Sequence, residues 1–178
     1  MNLYVIRHGE TDWNQKGIML SIEDKPLNQN GIEQANKARE IVEKLDYDIV
    51  ISSPLERTYH TAQIVNKNKN IDIVTDKRIM ERNAGILSGK SISEEIYKDY
   101  WNLEKDIKYE GAETIKEFLD RVYNFLDEIK EKYAEKNILL VTHKGVSRAI
   151  KTYFEGIPKD NNIRNFGQDN CEIKIYKM

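Results

Sequence analysis

Apolar residues gather along this chain in two rhythms. Short apolar runs occur at Leu3–Ile6, Asp48–Ser52, Ile71–Val74, Asn137–Thr142 and Glu172–Tyr176. Runs of this length without sustained polar alternation read as strands, the unbroken ones as strands covered on both faces. Between them, apolar positions recur at helical spacing over Gly31–Leu45, Pro54–Asn66, Ser91–Asn102, Thr114–Tyr133 and Gly145–Phe154. Strands alternating with helices of this length predict βαβ units, hence an α/β fold with a mostly parallel central sheet between two helical layers. The third helix and the segment up to Gly111 stand apart from that alternation and predict a small inserted lobe at about 82–113. With only three prolines and no linker or repeat, residues 1–178 are expected to form one domain.

Bulk properties narrow the chemistry by exclusion. The net charge of −2 gives no electrostatic case for nucleic acid or an anionic membrane. Charged residues make up 33% of the chain, but the signs are interspersed, as on solvated helix faces. A single cysteine, Cys171, rules out a disulfide framework. No signal segment or membrane-length apolar stretch is visible, so a cytoplasmic location is expected. Three histidines and one cysteine show neither His-Glu-x-x-His nor paired-cysteine spacing, so neither a metal site nor a cofactor is expected.

Two of the apolar runs end in histidine. Leu3–Ile6 continues into Arg7-His8-Gly9-Glu10-Thr11, and Ile138–Thr142 into His143. Ligands of open α/β sheets bind at the carboxyl ends of parallel strands, so two such ends point to one shared site. A cation beside an imidazole suits phosphate, which needs both charge neutralisation and a nucleophile. The third histidine, His60, falls inside a predicted helix and reads as structural or surface.

Further segments accompany these two. They are Asp12-Trp13-Asn14; Asp24-Lys25-Pro26-Leu27 before Gly31-Ile32-Glu33-Gln34-Ala35; Ser52-Ser53-Pro54-Leu55-Glu56-Arg57-Thr58 with Thr61-Ala62; Glu81 with Gly85 and Gly89; and Val141-Thr142-His143-Lys144-Gly145. In this order the chain resembles the phosphoglycerate mutase-like histidine phosphatase superfamily from residue 3 to about 150. The resemblance implies a three-layer α/β/α fold with an antiparallel last strand. It implies His8 as nucleophile, with Arg7, Arg57 and His143 clamping the transferring phosphoryl group and Asn14 donating to it. Glu81 would be the general acid that protonates the leaving oxygen and then the base that activates water. Each has a plainer reading: Arg57 as a surface helix arginine, Asn14 as a turn former, Glu81-Arg82 as a surface ion pair. Two arginines and a histidine can neutralise the phosphate unaided, which implies a metal-independent reaction.

Mutases and phosphatases of this family share that core, and the surroundings separate them. Where the mutase pattern has Thr-Gly six residues past the asparagine, this chain has Leu20-Ser21; where it has a tyrosine three past the glutamate, there is Ala84. The paired arginines of the mutase lobe have no counterpart, and no tail follows the last strand. These departures favour hydrolysis of a small phosphorylated metabolite in an open, shallow site. Phosphoglycerate mutase is the alternative, and a catalytically silent phospho-ligand binding protein the second. One departure is from the phosphatase pattern itself: Lys144 stands where phosphatases of the family carry the first glycine of Gly-Gly. A lysine at a helix start is unfavourable unless an anion sits there, so Lys144 either contacts a second acidic group on the substrate or points to solvent.

Overall fold

The structure, a computed structural model, describes all 178 residues. Strands β1 (Asn2–Arg7), β2 (Ile49–Ser52), β3 (Ile73–Thr75), β4 (Ile138–Thr142) and β5 (Ile173–Lys177) form one sheet in the order β3-β2-β4-β1-β5. All neighbours run parallel except β1 and β5, which pair antiparallel. The helices are α1 (Asp12–Gln15), α2 (Gln29–Val42), α3 (Glu56–Val65), α4 (Glu94–Tyr100), α5 (Ile115–Lys132) and α6 (Lys144–Glu155).

Successive strand residues point to opposite faces, and here both faces are dry. Leu3, Val5, Ile138 and Leu140 join a core with Phe118, Val122 and Phe125 of α5 and Val146 and Ile150 of α6. Their neighbours Tyr4, Ile6, Leu139 and Val141 face the other way, against Ala35, Ala38 and Val42 of α2 and Ala62 and Val65 of α3. This is the physical origin of the uninterrupted apolar runs. The edge strands are the exceptions, with Val74 and Thr75 of β3 and Lys174 and Ile175 of β5 exposed.

Element ends depend on local hydrogen bonds that periodicity does not encode. The third strand begins at Ile73, two residues after the predicted Ile71, because Ile71 exchanges hydrogen bonds with Asn66, which caps α3. Helix α2 starts before Gly31 because Asn28 caps it, and α4 contracts to Glu94–Tyr100 behind the Ser93 cap. The start of α5 is set by a reciprocal capping box between Thr114 and Glu117. Sequence periodicity misses α1, a single turn also closed by a capping box, between Thr11 and Asn14.

The parallel register brings the site together. Arg7 lies opposite Thr142, and the His8 N–H extends the ladder by donating to the Thr142 carbonyl at 2.9 Å. His8 and His143 therefore leave adjacent strands at one level of the sheet.

Candidate active site

His8 is 2% exposed, and its Nδ1 lies 2.7 Å from the Gly9 carbonyl. A carbonyl can only accept, so Nδ1 carries the proton and Nε2 keeps its lone pair. The loop is held down by glycines: a Cβ on Gly9 would come within 2.4 Å of the Gly31 carbonyl oxygen, and one on Gly31 within 2.1 Å of the Glu10 carbonyl oxygen. The second imidazole, His143, packs edge-on to His8 at 5.3 Å between centroids, its Nε2 bonded to Ser53 Oγ at 2.8 Å. Burial first, then the nearby arginines, hold both imidazoles well below the ordinary 6.5, so both are neutral at pH 7.

Neutral buried histidines make stability depend on pH. Below about pH 6.5 the unfolded chain takes up protons on these histidines that the folded chain refuses, so stability falls with pH there and is unaffected by them above. Each contributes a slope of up to about 1.4 kcal/mol per pH unit. Urea unfolding of His8→Gln between pH 7.5 and 5.5 should show a visibly shallower decline than wild type; an identical slope would mean that His8 protonates freely in the folded protein.

Arg7 and Arg57 flank the pair. Arg7 borders a cleft of about 400 Å³ and donates through Nη1 to the Gln168 carbonyl at 3.1 Å. Arg57, on the first turn of α3, is fully buried behind the cleft wall rather than on the helix surface. Its Nη1 and Nη2 are bound by the carbonyls of Glu23 (2.6 Å) and Ser21 (2.8 Å). Burial, partly offset by Glu81, lowers both guanidiniums to about 10, which leaves them charged at pH 7. Arg7 Nε, Arg57 Nε and His143 Nδ1 are all buried with no partner in the protein. Buried polar atoms are rarely left unpaired, and three beside one imidazole fit an anion. Arg57→Ala should lower kcat/KM by about 10²- to 10³-fold if its charge stabilises the transferring group; a loss under tenfold in steady-state hydrolysis would reduce Arg57 to a packing role.

Glu81 emerges from the loop after β3. Its backbone carbonyl is gripped by Arg121, whose guanidinium also collects the carbonyls of Arg78 and Met80 and the Glu113 carboxylate. The Glu81 carboxylate accepts the Gly145 N–H at 3.0 Å and the Arg82 N–H at 2.9 Å. Gly145 is required for that approach, since a Cβ there would sit 2.0 Å from Glu81 Oε1. Glu81 and Arg82 do not form a surface ion pair. Arg82 is buried, donates to the carbonyls of Tyr100 and Glu113, and lies 3.8 Å from the Tyr100 ring.

The cleft is bordered by Arg7, His8, Asn14, Glu81 and Lys144, five of the seven residues singled out in the sequence; Arg57 and His143 stand behind it. Asn14 lies on α1 rather than in a loop, with Oδ1 spent on the Thr11 N–H and Nδ2 without a protein acceptor. His60 is in mid-α3, away from the cleft. The inserted segment contributes Tyr97, Tyr100 and Trp101 to one wall of the cleft. Ser21 occupies a left-handed backbone position (φ 53°), where glycine is ordinarily favoured. Its hydroxyl offsets that strain by joining the Arg82 carbonyl to the Ala84 N–H. Arg148, 2% exposed, also borders the cleft and has no sequence signal beyond its spacing from Lys144.

Comparison with known proteins agrees with this geometry. The family model for the histidine phosphatase superfamily, branch 1, matches residues 3–178. The chain belongs to the histidine phosphatase superfamily. Among relatives of this histidine phosphatase is an uncharacterized phosphatase, PhoE, of Bacillus subtilis, 35% identical over 98% of this chain and 93% of its own length. Another is phosphoserine phosphatase 1 of Hydrogenobacter thermophilus, 28% identical over 100% of this chain and 87% of the relative. Probable phosphoglycerate mutases of Salmonella also match, 31% identical over 89% of the chain and 76% of theirs. A putative α-ribazole-5′-phosphate phosphatase of Escherichia coli superposes with a TM-score of 0.83 at 28% identity, covering 98% of this chain and 89% of that one. No group of three or more His, Cys, Asp or Glu side chains in this histidine phosphatase is placed to hold a metal ion, and no helix is long and apolar enough to cross a membrane.

Proposed function

We propose that the protein hydrolyses a small phosphomonoester through a phosphohistidine on His8. The observation that carries this is the unprotonated Nε2 of His8, held near three buried nitrogen atoms, Arg7 Nε, Arg57 Nε and His143 Nδ1, that have no protein partner. In the first step Nε2 attacks phosphorus, the P–O ester bond breaks, and Glu81 gives its proton to the departing oxygen. Arg7, Arg57, His143 and the Asn14 amide stabilise the charge spread over the equatorial oxygens. In the second step Glu81 takes a proton from water, which attacks phosphorus, breaks the P–N bond and releases orthophosphate. His8 and Glu81 return to their starting forms.

Phosphate release from a panel of small phosphorylated metabolites tests the reading, with p-nitrophenyl phosphate as a general probe. Activity should survive an excess of chelator, because the guanidiniums already neutralise the phosphate. Loss of activity on chelation with recovery on adding a divalent ion would overturn the residue roles given above. The rival reading is a phosphoglycerate mutase, which relatives of this chain are also named. A coupled assay for interconversion of phosphoglycerates separates the two, since a mutase would return phosphoglycerate faster than free phosphate.

A further inference from the structure

Helix α6 carries two cations into the cleft that the hydrolytic steps do not use. Lys144 and Arg148 are four residues apart, so they share one face of the helix, and both border the cleft beside Arg7. Lys144 is not a free surface lysine: its side chain is 36% exposed, and its closest carboxylate, Asp169, is 4.0 Å away and itself 92% exposed. A pair that long and that solvated contributes little. Burial and the charges of Arg7 and Arg148 lower the Lys144 pKa, the mark of cations crowded without an anion between them.

Arg148 is held in one orientation by hydrogen bonds and an aromatic ring. Its Nε and Nη2 donate to the Arg164 carbonyl at 2.9 and 2.8 Å, and Nη2 also to Tyr97 Oη at 2.6 Å. The guanidinium lies 4.2 Å from the Trp101 ring centroid. Nη1 has no hydrogen bond within the protein. A glycine makes the room: a Cβ on Gly167 would come within 2.6 Å of Lys144 Cγ and 3.2 Å of Arg148 Cζ.

We propose that Lys144 and Arg148 form a second anion site, which takes the carboxylate of a phosphomonoester substrate; this rests on the phosphatase reading above. Charge favours a singly charged anion: Arg7 and Arg57 match the two charges of a phosphate dianion, and a second phosphate near Lys144 and Arg148 would add two more negative charges to a cleft that Glu10, Glu81 and Asp169 also border, whereas a carboxylate adds one. An ammonium stem and a pre-set guanidinium N–H also suit its two oxygens.

The test compares esters that differ by a carboxylate: 3-phosphoglycerate against glycerol 3-phosphate, and O-phosphoserine against O-phosphoethanolamine. Hydrogen bonds to a charged group predict a preference for the carboxylated ester of about 10- to 100-fold in kcat/KM, carried mainly by KM. Lys144→Met should cut that ratio about tenfold, whereas Lys144→Arg should keep most of it. Competitive inhibition by phosphonoacetate relative to methylphosphonate should follow the same ratio and reads binding without turnover. The site is overturned if wild type takes both esters equally, if Lys144→Met loses both in equal proportion, or if a second phosphate in place of the carboxylate is preferred. Activity on p-nitrophenyl phosphate marks which idea fails: present without discrimination, only the carboxylate site falls; absent on every ester, the phosphatase reading falls with it.

Discussion

His8→Ala is expected to lower phosphate release by about 10⁴-fold or more and to leave no phosphoenzyme. Wild type, quenched during turnover with a radiolabelled ester, should carry phosphate that is stable in alkali and lost in acid, the signature of a phosphoramidate. The expectation rests on one bond, Nδ1 to the Gly9 carbonyl, which presents Nε2 as the only basic atom of that ring. The Nε2 of His143 is occupied by Ser53, and its unpartnered Nδ1 is the atom assigned above to the phosphoryl clamp. Far-UV circular dichroism shows whether the variant keeps its fold. Label on any other residue, or turnover within tenfold of wild type, would remove His8 from its role.

Glu81→Gln is expected to slow hydrolysis of alkyl phosphates by about 10²- to 10⁴-fold and that of aryl phosphates far less. A nitrophenolate leaves without help, whereas an alkoxide needs a proton as the bond breaks. Glutamine keeps the shape but can accept only one of the Gly145 and Arg82 N–H groups, which bond different carboxylate oxygens in the wild type; the arginines and His143 are untouched, so inhibition by inorganic phosphate should hardly move. In the proposed mechanism Glu81 also serves the second step, where slow dephosphorylation would depress both esters alike. Single-turnover phosphorylation of His8 isolates the first step. Equal losses for both esters in that measurement would show that another group delivers the proton.

The sheet and the two histidines were legible in the chain for a simple reason. Strands buried on both faces need unbroken apolar runs, and the residue directly after such a run in a parallel sheet lies at its carboxyl edge. Arg57 could be placed only through its sequence context, because its partners are carbonyls of Ser21 and Glu23, more than thirty residues away. A carbonyl has no residue type, so no motif announces it. Arg82, Arg121 and Arg148 were illegible for a related reason: an arginine in a helix or loop reads as solvated, yet these three are held by backbone oxygens and aromatic rings. The wall of Tyr97, Tyr100 and Trp101 depends on where the inserted segment folds back, which helical periodicity does not say.

Arg82 ties the Glu81 carboxylate to the wall of the cleft. Its backbone N–H holds the Glu81 carboxylate, while its guanidinium holds the carbonyls of Tyr100, in the wall of the cleft, and of Glu113, where the inserted segment ends. A variant that reshaped this wall to admit a new ester would shift the Glu81 carboxylate in the same stroke. Substrate range in this lineage is therefore open to drift along α6, where Lys144 can be exchanged without disturbing Arg82. On the opposite wall a new preference has to arrive together with a change in rate.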